Sequence, residues 1–248
     1  MTVATSIAEA EAHIPSAQER FWKRAVKMWT DLHTLPTTNP LRNATKSIRK
    51  FKRFCRSPFY ELATALNDIP DDELETINPF SLAPWAERIR TITDDDDAAS
   101  DTEAGAHSAL RVAVSSSARN GLVGAGAVIE LSSASGQGLG LERHSFTLGL
   151  RTEQNPFSGE LAAIAQALRC LPEVRNRSVD VLTSNKAAVL TLRNPRQQSG
   201  QQYVDSIHET ISALEGQGNA VTVTWLPVSS EHELLKLAKD EARDATRC

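Results

Sequence analysis

The spacing of apolar residues changes along the chain, from a helical period before residue 93 to strand alternation after residue 108. Four consecutive aspartates and small polar residues fill the segment Thr93–Ser108, a composition typical of a solvated linker. The pattern therefore predicts a small helical connector over 1–92, an acidic linker without regular structure over 93–108, and an α/β domain over 109–248.

The connector begins with a strong helix signal. Ser16 followed by Glu19 forms a capping box, and the apolar stripe that begins at Phe21 continues until Pro36 ends the helix. Two further helices are predicted, over 43–56 and 60–66. The segment 42–56, which contains the helix predicted over 43–56, carries seven basic residues and no acidic one, which suits contact with phosphates and equally suits a solvated surface.

After the linker, the predicted order is three strands, a helix, a strand, two helices, a strand and a final helix. The dipeptide Asn120-Gly121 predicts a tight hairpin between the first two strands, and Asn155-Pro156 predicts the start of the first helix. Hairpins followed by helical crossovers indicate a mixed five-stranded sheet flanked by helices. Sites in such sheets lie at the carboxyl ends of strands, which here are near Ser115 and Ser184.

Composition excludes several classes of protein. The net charge of the 248 residues is -4, and no apolar run has the length of a membrane span. The N-terminal residues lack the features of a secretory signal. The three cysteines, Cys55, Cys170 and Cys248, are far apart and have no zinc-site spacing, which favours a reducing, intracellular compartment, nuclear or cytoplasmic. No partner in a membrane is expected.

Four short segments occur in an order that resembles the ribonuclease H fold: "SARNGLVGAGAVI", "SGELAAIAQAL", "TSNKAAV" and "WLP". Residues 109–247 look most like the ribonuclease H module at the C-terminal end of fungal non-LTR (LINE-type) retrotransposon polyproteins. The segment "HIPSAQERFWKRAVKMWTDLHTLPTTNP" is similar to the connector that precedes that module. The resemblance implies a reverse transcriptase fragment, or a gene derived from one, whose partner is the polymerase part of the parent polyprotein.

The resemblance also identifies the positions of four metal-binding carboxylates in active family members. Glu160 matches the glutamate of the first helix, whereas Ser115, Ser184 and Leu235 stand at the three aspartate positions. The family histidine falls near Ser229. Three of the four carboxylate positions are thus replaced, which predicts a pseudoenzyme.

The family reaction uses two Mg²⁺ ions to hydrolyse the RNA strand of an RNA–DNA hybrid. Mg²⁺ requires anionic oxygen ligands, so one glutamate beside hydroxyl groups predicts neither bound metal nor catalysis. An active, Mg²⁺-dependent ribonuclease with rearranged carboxylates stays an alternative. Glu231, four residues before Leu235, or Glu233, nearer in sequence to the end of the strand, is the candidate that would join Glu160. A structural relic or protein-interaction module is the second alternative.

Residual binding of an RNA–DNA hybrid or another nucleic acid is the expected activity. Polar and basic residues near the strand ends, and those of the basic connector helix, are the candidate contacts, although each set also suits a solvated surface. A retained binding role is one explanation of Glu160. The other is that a glutamate near a helix N-terminus is stabilised by the helix dipole without any metal. The candidate contacts are Ser116, Ser117, Asn185, Lys186, Arg193, Arg196 and Gln197 in the α/β domain, and Lys46, Arg49, Lys50 and Arg53 in the connector.

Overall fold

The computed structural model describes residues 9, 11–48, 58–70, 74–93, 110–131 and 140–247. The chain divides into two compact units, Met1–Asn78 and Pro79–Cys248. The predicted linker falls almost entirely outside the described residues. Within the described residues, no helix has both the length and the apolar character needed to cross a membrane.

Among the described residues of the first unit, three helices have defined bounds: α1 (Ala17–His33), α2 (Pro40–Ile48) and α3 (Pro58–Ala65). The side chain of Ser16 accepts a hydrogen bond from the backbone N–H of Glu19, as the capping box predicts. Trp29 is fully buried with Leu62 and stacks on His33, with 4.0 Å between ring centroids. The second helix begins earlier than expected, at Pro40, and its predicted end lies outside the described residues.

The described residues of the second unit form six strands and four α-helices. A short 3₁₀ helix, Val228–Ser230, precedes the last of these helices. The strands are β1 (Arg90–Ile92), β2 (Leu110–Arg119), β3 (Leu122–Leu131), β4 (Gly140–Leu150), β5 (Ser178–Thr183) and β6 (Ala220–Trp225). The helices are α4 (Pro156–Arg169), α5 (Lys186–Arg193), α6 (Gln201–Gly216) and α7 (Glu233–Asp244).

The strands form one mixed sheet in the order β1-β6-β5-β2-β3-β4. β2, β3 and β4 pair in antiparallel fashion, whereas β5, β6 and β1 continue the sheet in parallel. The hairpin between β2 and β3 turns at Asn120 and Gly121, which both have positive φ, as the prediction requires. The predicted mixed α/β class is confirmed.

The sheet has six strands, and the prediction of five was wrong by one edge strand. Residues Arg90–Ile92 pair in parallel with β6, so they belong to the sheet although the predicted connector extends to residue 92. A strand of three residues beside an aspartate run carries too little alternation to be recognised. The division between the two compact units accordingly lies earlier, after Asn78.

Side chains on the two faces of the sheet pack in two separate clusters. Val112 and Val114 of β2 face the large core beneath α4, whereas the intervening Ala113 belongs to a smaller cluster beneath α7. Gly126 of β3 lies so close to α7 that an added Cβ would overlap the backbone of Ala242. Consecutive residues of β2 therefore point to different helices, which decides which of them reach the candidate site.

Candidate functional site

Glu160 lies in the second turn of α4 and is 3% exposed. Asn155 caps this helix through its side chain and Pro156 occupies the first turn, as the Asn-Pro signal predicts. The hydroxyl of Thr183, the last residue of β5, donates a hydrogen bond of 2.5 Å to Oε1 of Glu160. The glutamate that the sequence singled out is thus a buried residue between a helix and the sheet.

Ser116 of β2 supplies the remaining polar contacts of the glutamate. The Ser116 hydroxyl donates a hydrogen bond of 2.9 Å to the carbonyl oxygen of Pro156, and the hydroxyl and backbone of Ser116 lie near enough to the carboxylate to lower its pKa. Burial raises the pKa of Glu160 above its usual value, and the bonds from Thr183 and Ser116 partly oppose that rise. Hydroxyl and backbone groups therefore satisfy this carboxylate from within the fold.

Ser115 lies on the opposite face of the sheet from Glu160. It pairs across the strands with Gly126, on the face that α7 covers, and it is 7% exposed. Because side chains alternate along a strand, Ser116 and Ser115 cannot both face α4. The residue that the resemblance matched to the first aspartate is therefore not beside the retained glutamate, and Ser116 occupies that place.

The other two replaced positions have ordinary structural roles. Ser184 follows β5, and its carbonyl oxygen accepts a hydrogen bond of 3.1 Å from the indole Nε1 of Trp225. Leu235 packs against the small cluster beneath α7 that contains Ala113 and Leu182. A carboxylate at position 235 would have to enter this apolar cluster.

Glu231 does not occupy a position from which it shares a helical face with Leu235. It precedes α7, in the left-handed conformation with φ of 48°, and its side chain is 81% exposed. Its nearest cation is the Nζ of Lys236 at 3.9 Å. The expected helical spacing fails because α7 starts only at Glu233.

The donor set around Glu160 does not fit Mg²⁺. The partners of the carboxylate are two hydroxyls and one backbone amide, and both the amide and the Thr183 hydroxyl act as donors rather than ligands. Across the part of the chain that the structure describes, no group of three or more His, Cys, Asp or Glu side chains is arranged to hold a metal ion.

Asp180 is a half-buried acid on β5. It lies three residues before Thr183 on β5, so it faces α7 rather than Glu160. The hydroxyl of Thr224 donates a hydrogen bond of 2.6 Å to its carboxylate. Burial raises the pKa of Asp180, and Thr224, Arg111 and His232 oppose the rise.

The basic candidates of the second unit lie on α5 and the loop that follows it. Asn185 caps α5 by accepting a hydrogen bond from the backbone of Ala188, so this amide is already used. The Nζ of Lys186 lies 4.9 Å from the ring centroid of Trp225. Arg193 is seven residues further along the same helix, hence on the same face, and is exposed.

The loop after α5 is held by Gln201. Its side-chain amide donates hydrogen bonds of 2.7 and 2.8 Å to the carbonyl oxygens of Arg196 and Gln198. Arg196 is exposed on this loop and Gln197 is half-buried. α5 and the loop after it thus bring Lys186, Arg193 and Arg196 onto one continuous stretch. Ser116 and Ser117 point to opposite faces of β2, so these two candidate contacts cannot both lie on the same surface.

The basic candidates of the connector are largely beyond what the structure describes. Lys46 belongs to α2. Arg49, Lys50 and Arg53 lie outside the described residues. Thr183, which contacts Glu160, is a residue that the sequence did not single out. The feature that could have identified it is its position in "TSNKAA", immediately before Ser184, the replaced aspartate position.

No protein-family model matches the chain, and no curated protein matches it by sequence. Similar solved structures include the N-terminal RNase H domain of Rv2228c from Mycobacterium tuberculosis, fused to maltose-binding protein, at 15% identity and a TM-score of 0.44. The structural match spans 56% of this chain and 99% of the solved chain. RNase H1 from the archaeon Halobacterium salinarum covers 55% of this chain, and LC11-RNase H1 in complex with an RNA/DNA hybrid covers 56%. Both have 15% identity, a TM-score of 0.41 and 99% coverage of the solved chain.

Proposed function

We propose that the second unit is a ribonuclease H-like domain that has lost metal-dependent hydrolysis and retains binding of nucleic acid. The order of its strands and helices and the segment "SGELAA" support the first part of this proposal. The single observation that supports the loss of metal-dependent hydrolysis is the enclosure of the Glu160 carboxylate by Thr183 and Ser116.

The chemistry of phosphodiester hydrolysis explains why this enclosure matters. Two divalent ions carry four positive charges, which several carboxylates must offset at one point. Here one carboxylate faces the α4 side of the sheet, while Ser115 and Asp180 face the α7 side. Glu231, the carboxylate that a rearranged site would need, is 81% exposed and precedes α7.

Binding is assigned to the stretch formed by α5 and the loop after it. Exposed arginines and a lysine beside an aromatic ring are the side chains that contact phosphate and sugar without reading sequence. Lys186 and Arg193, at the two ends of α5, and Arg196, on the loop that Gln201 holds in place, provide three such charges. The ligand class is an RNA–DNA hybrid or another duplex.

The test is a paired measurement of cleavage and binding on a labelled RNA–DNA hybrid. The full chain is incubated in Mg²⁺ and in Mn²⁺ beside an active ribonuclease H, and binding is followed by anisotropy in the same samples. We expect salt-dependent binding and no cleavage. Metal-dependent cleavage that disappears in Glu160→Gln would overturn the loss of hydrolysis.

Two variants of equal charge change decide where the hybrid binds. Lys186→Glu places an acid on the proposed surface, whereas Lys239→Glu places one on the exposed side of α7. We expect Lys186→Glu to weaken binding several-fold and to lower the salt dependence, with Lys239→Glu close to wild type. Equal effects of both variants, or no binding by the wild type, would contradict the assignment and leave a relic or a protein-interaction module.

The retroelement origin is a separate part of the proposal, supported by the connector-like segment and the four motif segments. We infer a C-terminal portion of a fungal non-LTR reverse transcriptase, or a gene derived from one, with the polymerase part as its partner. Sequencing full-length transcripts across the 5′ flank tests this. A continuous reading frame encoding a Tyr-x-Asp-Asp polymerase motif is the expected result, and a transcript with an unrelated upstream frame would refute the inference.

A further inference from the structure

The exposed side of α1 in the first unit carries a surface that neither the candidate site nor the core uses. Two stripes run along it next to one another. Phe21, Ala25 and Met28 form an apolar stripe, with Phe21 75% and Met28 55% exposed. The adjacent basic stripe has the spacing i, i+3, i+4, i+7 and consists of Arg20, Lys23, Arg24 and Lys27.

A groove of about 560 Å³ lies on the other side of the aromatic residues. Phe21, Trp22 and Ala25 form its apolar part, and Trp22 is 45% exposed. Glu19 of α1 and Glu61 of α3 supply carboxylates at its edge. Glu19 is paired with Lys23 of the basic stripe, so the surface presents cations beside aromatic rings on α1 and the Glu61 carboxylate of α3 in the groove.

This arrangement is complementary to that of a nucleotide: phosphate, base and the hydrogen-bond donors of the base edge. We propose that the α1 surface, defined by Arg20, Phe21, Trp22, Arg24 and Glu61, binds single-stranded nucleic acid. Phosphates contact the basic stripe, bases stack on the two rings, and Glu61 accepts from base amino groups. The site is distinct from the hybrid-binding stretch on α5 and does not depend on it.

The ion pairs already present on α1 do not oppose such binding. Lys23 lies 2.8 Å from Glu19 and Lys27 lies 2.7 Å from Asp31, both in exposed pairs four residues apart. Exposed pairs of this kind contribute little free energy and exchange readily for phosphate. Arg24 makes no ion pair with any residue that the structure describes, so its charge is directly offered to a ligand.

Anionic lipid is the other ligand that suits exposed rings beside basic residues. The groove argues against it, because the Glu61 carboxylate lines it beside the rings, and covering that carboxylate with the acyl chains of a lipid is unfavourable. The edge of a base instead offers hydrogen-bond donors to this carboxylate. Guanine offers the most, so single strands that contain guanine are the preferred ligands.

The experiment measures anisotropy of labelled eight-nucleotide RNAs, one of uridine alone and one containing guanine, with the full chain carrying Lys186→Glu to suppress the second-unit stretch. We expect Phe21→Ala to weaken binding about tenfold, since stacking on one ring contributes that order of affinity. Arg24→Glu should reduce the salt dependence. Glu61→Gln should remove the preference for guanine and leave uridine binding unchanged.

The controls separate stacking from general exposure and from folding. Trp85→Ala removes a ring that is 87% exposed in the second unit and should leave binding unchanged. Phe21→Tyr should retain binding and Phe21→Leu should lose it, since leucine keeps the apolar area without the π face. Equal losses in Trp85→Ala and Phe21→Ala, full binding by Phe21→Leu, or tighter binding to phosphatidylserine vesicles than to RNA would each overturn the proposal.

Discussion

The hydroxyl of Thr183 donates a hydrogen bond of 2.5 Å to the carboxylate of Glu160, joining the end of β5 to α4 inside the protein. The same hydroxyl accepts a hydrogen bond from the backbone N–H of Asn185 at 3.0 Å, and Asn185 in turn caps α5. Glu160, which the family resemblance assigns to metal binding, is here part of a chain of hydrogen bonds that fixes the start of α5.

Removing the Thr183 hydroxyl should destabilise the second unit. Thr183→Val preserves the shape of the side chain and leaves a buried carboxylate without its shortest partner, at a cost of about 1–3 kcal/mol. Urea unfolding measures the loss. Thr183→Ser keeps the hydroxyl and should lose clearly less, so equal effects of the two variants would show that the methyl group, not the hydrogen bond, matters.

The buried Glu160 should make stability depend on pH in a defined direction. Its pKa is raised in the folded protein, so between about 4.5 and the folded pKa the native state holds a proton that the unfolded state has released. The free energy of unfolding of wild type should therefore fall relative to Glu160→Gln as pH rises through this window, by at most about 1.4 kcal/mol per pH unit.

Unfolding curves of both proteins at matched pH values between 4 and 8 provide the measurement. The difference between wild type and variant isolates Glu160 from Asp180, whose pKa is raised in the same direction. A constant difference across the range would mean that the carboxylate titrates normally and is not enclosed.

His208 should produce the opposite dependence. It is 7% exposed, its ring lies 4.7 Å from that of Phe80, and burial lowers its pKa below the usual 6.5. As pH falls below about 6.5, the unfolded state binds a proton that the folded state does not, so stability is lost. The stability of wild type relative to His208→Phe should decline in acid, and a flat difference between pH 7 and 5 would contradict this.

The close contact of β3 with α7 should make one glycine irreplaceable. A Cβ at Gly126 would overlap the backbone of Ala242 and of Ala238, which cannot move without displacing the helix. Gly126→Ala should cost roughly 1–3 kcal/mol or more in thermal or urea unfolding. Gly216→Ala is the matched control, since the space around that helical glycine is open and alanine there is expected to stabilise by about 0.5–1 kcal/mol.

Local patterns in the sequence were enough to determine most elements of the second unit. The strands Leu122–Leu131 and Ser178–Thr183 form where the predicted order requires them, because their apolar pattern is strong and turn residues border them. Asn120-Gly121 and Asn155-Pro156 act through their own backbone preferences, so neighbouring residues in space do not alter them. The identity of Glu160 as the retained carboxylate was likewise available from the motif alone.

Only the tertiary structure decided which residues meet at Glu160. The motif pointed to Ser115, yet a strand turns successive side chains to opposite faces, and pairing with Gly126 sends Ser115 beneath α7. The late start of α7 similarly removed Glu231 from the helical face that its spacing implied. Sequence determines which elements form through local conformational preference, whereas register and packing across distant segments determine which side chains share a site.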